Sequence, residues 1–162
     1  MFAKFSPLII AKDYLLKGDR LYSNRDFESA MSHYRVSLYF NTSAKAHYKM
    51  AVVYKDQDKF IEAIGECSAA LNIDPENGGI LNFMGDCFYG LGLTENAMEI
   101  FSEASLCSNN ENRSYSYFMM GKLLRESGKW WMALSNYNKA LELEPGLADA
   151  KKEVDELGFV LN

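Results

Sequence analysis

Apolar residues return every three or four positions along most of this chain, and short polar breaks divide them into paired segments. The clearest pair lies in residues 114–145. Tyr117, Met120, Gly121 and Leu124 form one apolar stripe at helical spacing. Ser127-Gly128-Lys129 interrupts it with a glycine suited to ending a helix in the left-handed conformation. A second stripe follows, carried by Trp130, Ala133, Leu134, Tyr137, Ala140 and Leu141, and Pro145 stops it. The pattern predicts two antiparallel helices of about 13 residues joined by a tight turn. Gly121, Ala133 and Ala140 are small where two helices must approach closely. One such hairpin cannot bury both of its faces, so neighbours are required.

The neighbours are present as internal repeats. Ala30, Ala63, Ala97 and Ala133 align at intervals of 33, 34 and 36 residues. Four positions further on stand Tyr34, Cys67, Phe101 and Tyr137. The small residue of the preceding helix recurs as Gly18, Ala51, Gly85 and Gly121. An aromatic opens the second helix at Phe27, Phe60 and Trp130, with Thr94 as the exception, and Pro75 and Pro145 close two of the units. Over residues 11–147 this resembles the tetratricopeptide repeat, W-x2-L-G-x2-Y, then A-x3-F, then P, with a period near 34 residues.

The resemblance implies an all-α solenoid of about four helical hairpins. Its expected divisions are a lead-in over 1–10, repeats over 11–43, 44–77, 78–113 and 114–147, and a capping helix over 148–162, in one structural domain. The third repeat carries two extra residues, placed most economically in the polar loop 108–113. Beyond Pro145, Leu147, Ala150, Val154, Leu157 and Val160 or Leu161 repeat at three and four, with charges on the opposite face. That pattern suits a cap over the last repeat, whose outer face would include Trp131 or Leu134.

Composition narrows the function. The chain has 162 residues, a net charge of −5, 48% hydrophobic and 24% charged residues. An acidic balance argues against nucleic acid as the main partner. No apolar run approaches a membrane span, and the start of the chain makes a poor signal peptide, which points to a cytoplasmic protein. Cys67, Cys87 and Cys107 read as small buried hydrophobes in a reducing compartment. His33 and His47 have no ligand partner at helical spacing, so no metal is expected. The sequon-like Asn41-Thr42-Ser43 and Asn112-Arg113-Ser114 read as helix-boundary loops.

Neither phosphate loop, nucleophile elbow nor zinc-protease motif occurs. No catalytic residue and no cofactor is expected, and function falls to a surface. The resemblance implies that the first helix of each pair lines a concave face. The expected groove residues are Lys12, Leu15, Leu16, Asp19 and Tyr22 in the first repeat, and Lys45, Tyr48, Lys49, Val52 and Lys55 in the second. In the third they are Asn82, Phe83, Asp86 and Tyr89, and in the fourth Tyr115, Phe118, Met119, Lys122 and Arg125. Aromatic side chains with cations nearby suit a protein or peptide partner with apolar residues and acidic flanks.

Co-chaperones of the family hold the C-terminal carboxylate of heat-shock proteins with lysine, arginine and asparagine side chains. The matching positions here are Leu15, Asp19, Lys49, Gly79 and Phe83, so that ligand is not expected. The implied role is an adaptor, scaffold or assembly chaperone. Two alternatives stand beside it. One is a chaperone like the class II type III secretion chaperones. The other is a self-assembling structural protein or homodimer, whose groove takes Phe2, Phe5, Leu8, Ile9 and Ile10 of another copy.

Overall fold

The computed structural model describes residues 6–161. Nine α-helices and no strand occur among them: α1 (Pro7–Ser23), α2 (Phe27–Phe40), α3 (Ala44–Lys55), α4 (Phe60–Leu71), α5 (Gly78–Gly90), α6 (Thr94–Leu106), α7 (Arg113–Glu126), α8 (Trp130–Leu143) and α9 (Ala148–Leu161). Odd-numbered helices α1 to α7 each pack on the helix that follows. The fold class is the all-α solenoid. Helix α1 starts at Pro7, within the stretch expected as a lead-in, with proline at the first turn where its missing N–H is not needed. Phe2 and Phe5 lie outside the described residues.

All four hairpin turns use one device. A left-handed residue ends the first helix: Arg25 (φ 60°), Asp58 (φ 57°), Gly92 (φ 73°) and Gly128 (φ 72°). The next N–H then reaches back to a carbonyl five residues earlier, Asp26 to Leu21 (3.0 Å), Lys59 to Tyr54 (2.9 Å), Leu93 to Phe88 (3.0 Å) and Lys129 to Leu124 (2.9 Å). This is the six-to-one bond of a Schellman ending. In the first turn the residue that closes α1 also opens α2, because the Asp26 carboxylate accepts from the Ser29 N–H at 3.1 Å.

Contacts divide the chain into two compact units, Met1–Pro75 and Glu76–Asn162. In the first, Ala30, Met31, Tyr34, Met50 and Val53 form the core. In the second, one cluster joins Ala97, Phe101, Met119, Met120 and Leu123, and another joins Leu124, Ala133, Tyr137 and Leu157. The small-residue positions explain how each hairpin closes. A β-carbon on Gly18 would lie 2.5 Å from the Tyr34 ring, one on Gly85 2.7 Å from Phe101, and one on Gly121 2.6 Å from Tyr137. Where the second hairpin has Ala51 instead of glycine, it has Cys67 instead of a ring, and both are fully buried. The added methyl on one helix is matched by the smaller side chain on the other.

The two extra residues of the third repeat build more than a polar loop. Asn110 is buried, its amide donating to the Ala104 carbonyl (2.7 Å) and the Ser116 hydroxyl (3.2 Å). Ser116 donates to Asn82 Oδ1 (2.7 Å), and Asn82 donates to the Asn112 carbonyl (3.2 Å). Asn110 occupies the space a side chain at Gly78 would need, since a β-carbon there would meet its Cβ at 2.3 Å.

Three expectations of packing change. Trp130 is 45% exposed and lies outside the buried stripe of α8. Trp131 is 67% exposed with α9 already in place, so α9 does not cover it. The face of α9 is closed instead by Ala150 and Leu157, both buried, with Val154 and Leu134 each packed against the Leu157 cluster, while Val160 is exposed. The side chain of Leu161 lies outside the described residues.

Candidate functional site

The groove positions of the first unit come from α1 and α3. Asp19 follows the close-packed Gly18, so its carboxylate lies beside the ring that fills that contact. Asp19 Oδ1 accepts from the Tyr34 hydroxyl at 2.9 Å and pairs with Lys49 Nζ at 3.1 Å. At the end of α1 the Tyr22 hydroxyl donates to Asp56 Oδ2 at 2.6 Å, tying one hairpin to the turn of the next. That bond, with burial adding to it, pushes the Tyr22 phenol up to about 12. Burial, then the bond to Asp19, raises Tyr34 as well. Tyr48 and Val52 are half-buried on α3.

Beside this network is a cavity of about 410 Å³. Leu8, Ala11, Leu15 and Leu16 of α1 supply its apolar wall, Ser37 of α2 and Asn41 and Ser43 of the following loop close it, and Lys12 and Lys45 complete the lining. The Ser37 hydroxyl is already used, donating to the Ala11 carbonyl at 2.8 Å. Of the expected groove residues, Lys12, Leu15, Leu16 and Lys45 are therefore brought together around one space.

In the second unit the groove positions of α5 and α7 are more heavily committed to the fold. The Tyr115 ring meets Phe101 edge-on, with centroids 6.2 Å apart, and its hydroxyl donates to Asp86 Oδ1 at 2.6 Å. Burial first, then that bond, raises its phenol. The Tyr89 hydroxyl donates to Glu126 Oε1 at 2.8 Å, and Lys122 Nζ lies 4.8 Å from the Tyr89 ring centroid. Phe83 is half-buried.

Four expected groove residues are placed differently, the first being Asn82, which is 5% exposed with its side chain used within the Asn110 network. Met119 is only 5% exposed and belongs to a core cluster, because α7 turns that position inward between Phe101 and Leu123. Phe118 packs against both clusters of the second unit, with its ring 5.8 Å from that of Tyr137. It is largely a packing residue. Arg125 is held by the terminal helix, donating through Nη1 to Glu153 Oε2 and through Nη2 to Glu156 Oε2 at 2.9 Å. Its register is that of Tyr22 and Tyr89, and all three reach the next odd-numbered helix or the turn that ends it. A recurring hydrogen-bonding side chain at that position was the signal that could have identified this linking role.

No group of three or more His, Cys, Asp or Glu suited to a metal ion occurs among the described residues. Cys67 and Cys87 are buried, and neither they nor Cys107 form a disulfide among the described residues. His47 Nδ1 is instead 2.7 Å from Glu66 Oε2. Among the described residues no helix is long and apolar enough to cross a membrane.

Repeated hairpins of equal geometry, ringed by hydrogen-bonded tyrosines, define a helical repeat protein of the protein-interaction type. The tetratricopeptide repeat family model matches residues 44–77, the second of the repeats found by internal alignment. That match and the repeat spacing support a tetratricopeptide repeat protein. The chain is similar to the Tetratricopeptide repeat protein 21 homolog of Caenorhabditis elegans, 23% identical over 131 residues. That alignment covers 80% of this chain and 10% of the relative. The Caenorhabditis briggsae homolog is 24% identical over the same length and is also covered for 10%. Among solved structures, pilF of Pseudomonas aeruginosa superposes with a TM-score of 0.84 at 25% identity, over 94% of this chain and 69% of that one. YrrB, described as a TPR protein with an unusual peptide-binding site, gives a TM-score of 0.70 at 27% identity, over 89% of this chain and 74% of that one.

Proposed function

We propose that this chain is a non-catalytic adaptor or scaffold segment that holds an extended or helical peptide of a partner protein on the faces of its odd-numbered helices. The observation that carries this reading is the state of those faces. On α1, α5 and α7, Tyr22, Tyr89 and Tyr115 donate side-chain hydrogen bonds to Asp56, Glu126 and Asp86 while their rings remain half-buried. Rings held this way lose little further freedom when a ligand arrives, which favours tight binding for a given contact area. Aromatic anchors of this kind commonly dominate a protein interface. The likeness to YrrB supports the reading, since that protein's described feature is a peptide-binding site.

The test begins with capture of a partner from source lysate and mapping of the bound segment. Tyr48→Ala and Phe83→Ala are then expected to weaken its binding by about 2 kcal/mol each, as at an interface hot spot. Glu142→Ala, at an exposed position on α8, should leave binding unchanged. Thermal melts of the three variants separate lost binding from lost fold. If the two ring variants melt normally and bind the partner as well as the parent does, the partner uses another surface and the proposal fails.

A further inference from the structure

The cavity of the first unit has the size and chemistry of a subsite, and this inference rests on the groove reading above. Its volume of about 410 Å³ lies within the roughly 300–1,000 Å³ of ordinary ligand pockets. Leu8, Leu15 and Leu16 make its wall apolar, and Leu8 and Leu16 remain exposed. Two cations complete its lining. Lys12 on α1 and Lys45 on α3 occupy the same register of successive repeats, 33 residues apart. Both are exposed, and neither forms an ion pair or a side-chain hydrogen bond among the described residues. That sets them apart from Lys17, bound to Asp13 at 2.7 Å, and Lys49, bound to Asp19. In a protein of net charge −5, two unneutralised lysines lining an apolar hollow are a local reversal of sign.

We infer that this cavity receives one apolar side chain of a partner peptide and that Lys12 and Lys45 read carboxylates flanking it. The ligand class is an acidic peptide with a leucine- or phenylalanine-sized residue between glutamates or aspartates. The chain's own first five residues do not complement the site, because Met1-Phe2-Ala3-Lys4-Phe5 carries a lysine and no acid. Asp19 and Lys49 neutralise each other two turns along α1 from Lys12 and one turn along α3 from Lys45, so the positive field belongs to the cavity end of the face.

The probe is a capped peptide, acetyl-Gly-Glu-Leu-Glu-Gly-amide, titrated into the isotope-labelled full chain and followed by amide NMR shifts. Shifts are expected at Lys12, Leu16, Ser37 and Lys45. The Gln-Leu-Gln and Glu-Ala-Glu versions should each bind at least about fivefold more weakly, because each removes one of the two recognised features. The double variant Lys12→Gln/Lys45→Gln should lose about tenfold in affinity for the acidic peptide while retaining its melting temperature, since both side chains are exposed. Equal binding of the Gln-Leu-Gln peptide, or of the acidic peptide to the double variant, overturns the inference. Shifts confined to α5 and α7 overturn it too, while leaving the broader groove reading in place. Displacement of the peptide by octanoate at equal potency would reassign the cavity to free carboxylic acids.

Discussion

Single side chains decide how each hairpin closes. Tyr34 and Tyr137 fill equivalent positions with different neighbours: the residue after the close-packed glycine is Asp19 in one hairpin, where it accepts from Tyr34, and Lys122 in the other, where the nearby acid is Glu153 of α9. The Tyr137 hydroxyl is buried without a hydrogen-bond partner. Tyr34→Phe should therefore cost about 1 kcal/mol, whereas Tyr137→Phe should be neutral or stabilising, as read from denaturant unfolding. Equal losses would mean that Tyr137 has an acceptor after all. Gly121→Ala should cost about 1–3 kcal/mol by driving a methyl into the Tyr137 ring. In a Tyr137→Cys background, which copies the natural Ala51 and Cys67 pair, the same change should cost markedly less. Additive losses would show that the two positions do not touch. Titration gives a third check. The phenols of Tyr22, Tyr34 and Tyr115 are raised in the folded chain, Tyr22 to about 12, so the fold favours their neutral forms. Their contribution is fully present below the unfolded tyrosine pKa of about 10 and is lost as pH climbs through the folded values. Stability should be flat just below pH ~10 on their account and fall above it. Tyr22→Phe should reduce the part of that fall lying between about 10 and 12. An alkaline limb unchanged by Tyr22→Phe would contradict the Asp56 bond.

At the scale of elements, the repeat spacing made the hairpins legible. The small-residue and ring positions are set by contacts inside one hairpin, so their period survives in a single sequence. The groove was less legible because a stripe at helical spacing does not say which of two adjacent faces turns inward. Met119 shows this: it lies one residue from Met120, and both are buried. The 108–113 loop was opaque for a different reason. Asn110 reads as a solvated loop residue, and only the folded loop shows that Gly78 leaves space for it. Helix α9 illustrates the balance of forces. Arg125 binds two of its carboxylates, yet that side chain is 37% exposed, so the pairs are worth at most about 1 kcal/mol after screening. Leu157 is 3% exposed, and Leu157→Ala should cost about 2–5 kcal/mol. Arg125→Gln should cost about 1 kcal/mol or less. The reverse order would make α9 an electrostatic latch rather than a packed cap. At the turns, Gly92→Ala and Gly128→Ala should each cost about 1–2 kcal/mol, because both hold a left-handed conformation.

For the molecule as a whole, the claim that matters is which side of the helical pairs meets a partner. The two units present it differently. In the first, an open apolar cavity with unpaired lysines adjoins the hydrogen-bonded tyrosines. In the second, Tyr115 and Phe118 are engaged in packing, and Phe83, Tyr89 and Lys122 are half-buried. The first unit is thus expected to supply most of the specificity for an acidic segment. Charge complementarity acts chiefly on the rate of encounter. Association should therefore slow as salt rises, with a smaller change in dissociation. The most direct measurement is amide hydrogen exchange of the full chain with and without the captured partner. Added protection should fall on α1, α3 and the Ser37 end of α2 first, then on α5 and α7, with α4, α6 and α8 unchanged. Protection confined to the even-numbered helices or to the 107–112 loop would contradict the account.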